Sequence, residues 1–166
     1  MSERAASESG ANPGRPAAHA TVDIAAPMAT VWQVMIDLDA YGEWNPFVVR
    51  VERGLGAVAP GSRLKLHVRW HDGGEATSGE LVTALEPPGA GRALLAYRFT
   101  GWLDRLGLVH ALRTQTLVPA AGGTRYESHE AFSGALARAV PIARVREGFR
   151  RHAAALKARA EALASR

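Results

Sequence analysis

At 166 residues, 47% hydrophobic and 22% charged, the chain has the length of one domain that buries about 68 to 70% of its unfolded surface, and it is too apolar to be disordered throughout. It contains no cysteine, which excludes disulfides, thiolate nucleophiles and zinc sites with Cys ligands. The net charge of +4 is unevenly spread: from residue 136 onward eight Lys or Arg stand against Glu147 and Glu161, so the rest of the chain is slightly acidic and no general nucleic-acid-binding charge exists.

Residues 1 to 18 are rich in Ser, Ala, Gly and Pro without periodicity, the composition of a flexible tail, so the folded domain is expected over 19 to 166. MSERAASESGANPGRP lacks the basic, apolar and small-residue order of a secretory signal, and no apolar run approaches the roughly 18 residues of a membrane span. The expected location is cytoplasmic. HATVDIAA then predicts a strand with Val22 and Ile24 on one side, and Pro27 sits where a helix can begin without losing a hydrogen bond. Val31, Trp32, Val34, Met35 and Leu38 follow at helical spacing.

The junction DLDAYGEWNPFVVRVERG crowds Tyr41, Trp44, Asn45 and Pro46 together. Pro46 stops the helix so that Phe47, Val49 and Val51 can enter a second strand. In SRLKLHVRW, Leu64, Leu66, Val68 and Trp70 share one face and Arg63, Lys65, His67 and Arg69 the other, as in a half-buried antiparallel strand. HDGG reads as a turn. ATSGELVTALE, RALLAYRFT, VHALRTQTLVP and TRYESHEAFSG supply four more strands, separated by PPGAG, GWLDRLGL and AAGG. GWLDRLGL is expected as a loop whose Trp102, Leu103, Leu106 and Leu108 fold back as a lid or pack on the helix. The chain closes on a helical pattern of Val145, Phe149, His152, Leu156, Ala160 and Leu163, with Pro141 at its start or at a kink. Glu147 and Arg151 have the i, i+4 spacing of an ion pair. Seven strands and a long amphipathic helix imply an α+β protein in which the helix covers the apolar face of a curved sheet.

GLGAVA, residues 54 to 59, matches a dinucleotide fingerprint in letters only, because Pro60-Gly61 leads into a strand where a helix N-terminus would be needed. Ser62 and Lys65 point to opposite strand faces and cannot act together as nucleophile and base. His67 and His71 lie some 13 Å apart along a strand, too far for one zinc, and His110 and His129 lack a clustered third ligand, so no metal site is expected. The C-terminal arginines have no interleaved aromatic residues to stack nucleic-acid bases, and no nucleic-acid partner is expected.

The most informative pairing comes from the AAGG hairpin. Closed by Pro119 and Thr124, it sets Arg113 opposite Glu130, Gln115 opposite Ser128 and Leu117 opposite Tyr126. With Tyr126 and Phe132 facing inward, Arg113, Gln115, Ser128 and Glu130 form a polar cluster inside an apolar shell. This is either a self-compensating buried ion pair or a set of groups that orient a bound molecule.

The order of elements, with Ala26, Pro27, Val31, Trp32, Asp37, Tyr41, Glu43, Trp44, Asn45, Pro46 and Phe47 in spacing, then PGSRL, GGTR, FSG and KARAE, resembles the START/birch-pollen-allergen-like (SRPBCC) superfamily, in its polyketide cyclase/dehydrase branch. The resemblance covers about residues 19 to 163. It implies a helix-grip fold: a seven-stranded curved antiparallel sheet around a long C-terminal helix, two short helices between strands 1 and 2, and a cavity between sheet and helix. It further implies a hydrophobic small-molecule ligand, lipid, polyketide or isoprenoid-like, and no cofactor. The residues expected around the ligand are Trp44, Leu66, Val68, Tyr97, Trp102, Arg113, Gln115, Ser128, Glu130 and Phe149. A cyclase, aromatase or dehydratase would use Arg113 as donor, Glu130 as base and Tyr97 as an added hydroxyl. A third reading is a protein or anionic-membrane interaction module acting through the basic helix. Nothing in the sequence separates a monomer from a homodimer.

Overall fold

The computed structural model describes residues 14–166; of the tail expected over residues 1 to 18, residues 1 to 13 lie outside them. The elements run β1 (Ala17–Ile24), α1 (Met28–Ile36), a 3-10 turn (Leu38–Ala40), α2 (Tyr41–Trp44), β2 (Val48–Arg53), β3 (Arg63–Arg69), β4 (Glu75–Gly89), β5 (Arg92–Phe99), α3 (Trp102–Arg105), β6 (His110–Ala120), β7 (Gly123–Ser133), a second 3-10 turn (Ala137–Ala139) and α4 (Ile142–Ala164). The seven strands form one antiparallel sheet in the order β1-β7-β6-β5-β4-β3-β2. This is the helix-grip architecture expected from the sequence. β1 begins at Ala17, so residues 17 and 18 belong to the sheet rather than to the tail, and Phe132 N–H donates to the Pro16 carbonyl at 2.9 Å.

Local chemistry accounts for the boundaries. Pro27 precedes the first helical residue of α1, and Pro141 precedes that of α4 without kinking it. Asn45 ends α2: its side-chain oxygen accepts from Phe47 N–H and Val48 N–H, both at 3.0 Å, and so turns the chain into β2. Two readings of loops are corrected. PPGAG is mostly strand, since β4 continues to Gly89 and only Ala90 and Gly91, with φ of 47° and 76°, make the turn. Two positive φ values are what a two-residue hairpin needs to match strand twist, and a register break between Glu86 and Gly89 accommodates the two prolines. GWLDRLGL contains the short helix α3 rather than being loop throughout.

The helix α4 packs along β1 and α1 and divides the interior in two. Beneath its C-terminal half, Leu156 and Ala160 are fully buried with Ile24, Val31, Met35, Leu117 and Tyr126, and the space is filled. Close seating requires Gly148, since a Cβ there would overlap the Phe47 ring. Beneath its N-terminal half, Val145 and Phe149 face the concave sheet across open space. The Glu147–Arg151 pair does not form. Arg150 lies 3.8 Å from Glu147, while Arg151 reaches the carbonyls of Pro46 at 2.8 Å and Arg69 at 3.2 Å and ties α4 to the strand edge.

Candidate functional site

The open space is a cavity of about 340 Å³, within the size range of small-molecule sites. Its walls are largely apolar: Phe47 and Val48 from the α2–β2 junction, Leu66 and Val68 from β3, Phe99, Phe132 and Ala111 from the sheet, and Val145 and Phe149 from α4. Leu103 and Val109 border it on one side and Val140 and Pro141 on another. Its polar lining is concentrated on neighbouring strands: Ser78 and Glu80 from β4, Tyr97 from β5, Arg113 from β6 and Glu130 from β7.

Strand register brings these groups together. Tyr97 is the cross-strand partner of Arg113, and Arg113 that of Glu130, so period-two alternation aims all three at the same face. The expected hairpin register is observed in full, with Gln115 opposite Ser128 and Leu117 opposite Tyr126; pairing continues to Ala120 and Gly123, which leaves a two-residue turn.

Arg113 is the centre of the cluster. It is 3% exposed, donates through Nε to Ser128 Oγ and through Nη1 to the Tyr97 hydroxyl, both at 3.0 Å, and lies 4.0 Å from the centroid of Phe149 on α4. Its Nη2 has no partner among the described residues. The Tyr97 oxygen also accepts from Gln115 Nε2 at 3.4 Å, and Gln115 Oε1 accepts from the Tyr126 hydroxyl at 2.7 Å. Tyr97 thus keeps its own proton free to donate. A buried cation that keeps one N–H without a hydrogen-bond partner is costly until a partner is supplied.

Two carboxyl groups face the same space. Burial pushes the Glu80 carboxyl up to about 8, against a hydrogen bond from Ser78 and with added repulsion from Glu130. Ser78 Oγ donates to Glu80 Oε1 at 2.5 Å, while Oε2 has no partner among the described residues. Burial also raises Glu130, to about 7, with Arg113 opposing the shift. Arg113 and Glu130 form no ion pair among the described residues. The guanidinium instead lies along β5 and β7, where Tyr97 and Ser128 take its protons and Phe149 its face. Near neutral pH, Arg113, Tyr97 and protonated Glu80 all present donors.

Of the residues expected around a ligand, Leu66, Val68, Tyr97, Arg113, Glu130 and Phe149 line the cavity. Gln115 and Ser128 are buried behind the wall and hold Tyr97 and Arg113. Trp102 is corrected: it is 67% exposed, because α3 turns Leu103 inward in its place. Trp44 is corrected too, since it packs edge-on against Tyr41 and His152 and lines outer grooves, not the cavity. The larger of these grooves, about 930 Å³, runs past Glu43, Arg50, Arg69 and Glu75, and its charged walls do not suit an apolar molecule.

Sequence reasoning missed Glu80 and His152. Glu80 shares a strand face with Ser78 and Val82, so the alternation of ATSGELVTALE carried the signal. His152 was placed on the apolar face of the helix but given no role. Its Nδ1 accepts from Asn45 Nδ2 at 3.0 Å, which puts the proton of the neutral ring on Nε2. Burial, reinforced by Arg113, holds its pKa well below the usual histidine value.

A cavity gripped between a curved antiparallel sheet and its C-terminal helix defines the class as a helix-grip fold. Residues 15–161 match the model of the family described as polyketide cyclase/dehydrase and lipid transport, and the chain belongs to that family. Solved structures share the fold at low identity. The hypothetical protein jhp0584 from Helicobacter pylori is 15% identical, covers 99% of each chain and has a TM-score of 0.68. The Zhui aromatase/cyclase from Streptomyces sp. R1128 is 22% identical over 87% of this chain and 93% of its own, with a TM-score of 0.66. Ara h 8.0201 is 14% identical over 92% of this chain and 100% of its own, with a TM-score of 0.64. No curated protein matches the sequence significantly.

Proposed function

We propose that this protein encloses one hydrophobic small molecule, of lipid, polyketide or isoprenoid type, under the N-terminal half of α4, with an oxygen of the ligand accepting from Arg113. The observation that carries this reading is the unpartnered Nη2 of a buried arginine at the wall of an otherwise apolar cavity. Family membership supports the ligand class, and the clustering of polar groups on β4 to β7 favours a molecule with one oxygen-bearing end and an apolar body. Native mass spectrometry of protein purified from its own host tests it. One small molecule per chain is expected, and it should be lost when Val68→Trp fills the cavity. A cavity that stays empty in protein from its host and takes up no lipid, polyketide or isoprenoid in vitro would overturn the reading.

A second reading rests on Glu80 and Glu130, whose carboxyls sit at about 8 and about 7 in one cavity. Near neutral pH Glu80 holds a proton it can give up and Glu130 is partly ionised and can accept one, the arrangement of a general acid and a general base. Enolisation of a ketone, with its oxygen on Arg113 and its α-proton taken by Glu130, would serve cyclisation or dehydration. Glu130→Gln should then lower turnover by about tenfold or more; an unchanged rate with bound ligand leaves simple binding.

A further inference from the structure

Arg113 carries a full positive charge in the interior, and the partners it finds there are neutral. Two of its N–H groups go to the hydroxyls of Ser128 and Tyr97, and its plane lies over the Phe149 ring. Glu130 stands opposite it on β7, yet no carboxylate reaches ion-pair distance of the guanidinium among the described residues. A buried cation without a counter-ion is strongly destabilising. A guest that brings the missing negative charge therefore gains what a neutral guest of the same shape does not.

The other polar groups of the cavity select the kind of anion. Glu80 is 5% exposed, accepts from Ser78 Oγ through Oε1 and keeps Oε2 without a partner among the described residues. Burial holds its proton on up to about 8, so near neutral pH it lines the same cavity as Arg113 as a hydrogen-bond donor. One guanidinium N–H and one carboxyl O–H match the two oxygens of a single carboxylate. A phosphate monoester would bring about 1.5 to 2 negative charges against one cation, beside Glu130. Leu66, Val68, Ala111, Phe132 and Val145 leave the rest of the space apolar.

We propose that the ligand is a monocarboxylic acid with an apolar body, held as its carboxylate between Arg113 and Glu80, and that its binding draws a proton from solvent onto Glu130. The proposal rests on the ligand-binding reading and names its ligand class. The ionisable groups that share the cavity with Glu130 are Arg113, Glu80 and Tyr97; the β3 and α4 walls add none. Tyr41, Tyr126 and His152 do not line the cavity, and burial keeps all three neutral near pH 7. Burial already lifts Glu130 to about 7, and a second negative charge beside it lifts it further. Below that value Glu130 holds its proton before the ligand arrives, and affinity is flat. Above it binding must take up a proton, so affinity falls as pH rises.

Calorimetric titration of the full chain with decanoic acid and with decanol is the test. At pH 6.5 decanoate should bind about tenfold or more tightly than decanol. By pH 8.5 it should lose about threefold to tenfold in affinity and take up protons, read from heats in buffers of different ionisation enthalpy, while decanol binding stays constant. Arg113→Met should abolish the preference for the acid, Glu130→Gln should remove most of its pH dependence, and Val68→Trp should abolish binding of both compounds. Decanol bound as tightly as decanoate, or an acid preference retained in Arg113→Met, overturns the acid assignment and leaves the ligand-binding reading standing. Decanoate bound without proton uptake at pH 8.5 overturns the role of Glu130. Binding of neither compound overturns the acid assignment, and a cavity that also refuses every lipid, polyketide and isoprenoid removes the ligand-binding reading with it.

Discussion

The two halves of the space under α4 bury polar groups in different surroundings. At the border of the filled half, Asn45 makes three side-chain hydrogen bonds, to Phe47 N–H, Val48 N–H and His152 Nδ1, and the His152 ring stacks on Tyr126 and meets Tyr41 and Trp44 edge-on. In the open half, Arg113 and Glu80 each keep an atom without a partner. Both clusters are buried under the same helix. In the first, both polar atoms of the Asn45 amide are met by the chain, and the one atom left over, His152 Nε2, belongs to a ring enclosed by other aromatic rings; in the second, the unpartnered atoms belong to residues that line the cavity.

That contrast should survive mutation or fail by it. Asn45→Ala deletes three buried hydrogen bonds and is expected to cost about 3 kcal/mol in urea unfolding, with ligand affinity of the folded protein unchanged; a large affinity loss without loss of stability would erase the distinction. Arg113→Met is the mirror image. Replacing a buried cation by an apolar side chain of similar length leaves the unfolding free energy within about 1 kcal/mol or raises it, while ligand affinity falls about a hundredfold, readable by calorimetric titration.

Glu80→Gln sharpens the comparison through pH. The folded protein holds the Glu80 proton up to about 8, whereas an unfolded carboxyl releases it near 4.5. Between those values the native state binds more protons than the unfolded one, so the wild type loses stability as pH rises through this window. Glu130 adds to the loss up to about 7. At pH 5 the variant and the wild type should differ by less than about 1 kcal/mol; at pH 8 the variant should be more stable by about 4 kcal/mol. Equal pH profiles in denaturant titrations of ligand-free protein would show that Glu80 is solvated. The smallest effect belongs to Trp102→Ser, which should change unfolding by less than about 0.5 kcal/mol and leave interior ligand binding intact; a larger change in either would return Trp102 to the cavity.

The fold was legible because its strongest signals are periodic. SRLKLHVRW alternates cleanly, the last helix steps by three and four, and the hairpin closed by Pro119 and Thr124 fixed which residues of β6 face which residues of β7. Several cavity-lining residues followed, since inward direction on paired strands is set by register and alternation: Arg113 and Glu130 came from the hairpin register and Tyr97 from the alternation of its own strand. What was lost depended on three-dimensional reach. Arg113 and Glu130 are cross-strand partners, yet a long guanidinium side chain chooses among Tyr97, Ser128 and Phe149 on three elements, which pairing alone does not rank. Trp102 and Leu103 are adjacent in an apolar run, and only the turn of α3 decides which enters the cavity. Trp44 was drawn to the pocket by its aromatic neighbours, but those neighbours belong to the wedge around His152.

The guanidinium of Arg113 rests on the ring of Phe149, at 4.0 Å, from the opposite side of the interior. The group proposed to hold a ligand is therefore also a contact between sheet and helix. A guest that draws the cation toward itself tugs on α4, and one that presses it against the ring clamps α4 down. Occupancy is then written into how often the helix breathes, so amide exchange along Val145 to Leu156 becomes a gauge of whether the interior is full.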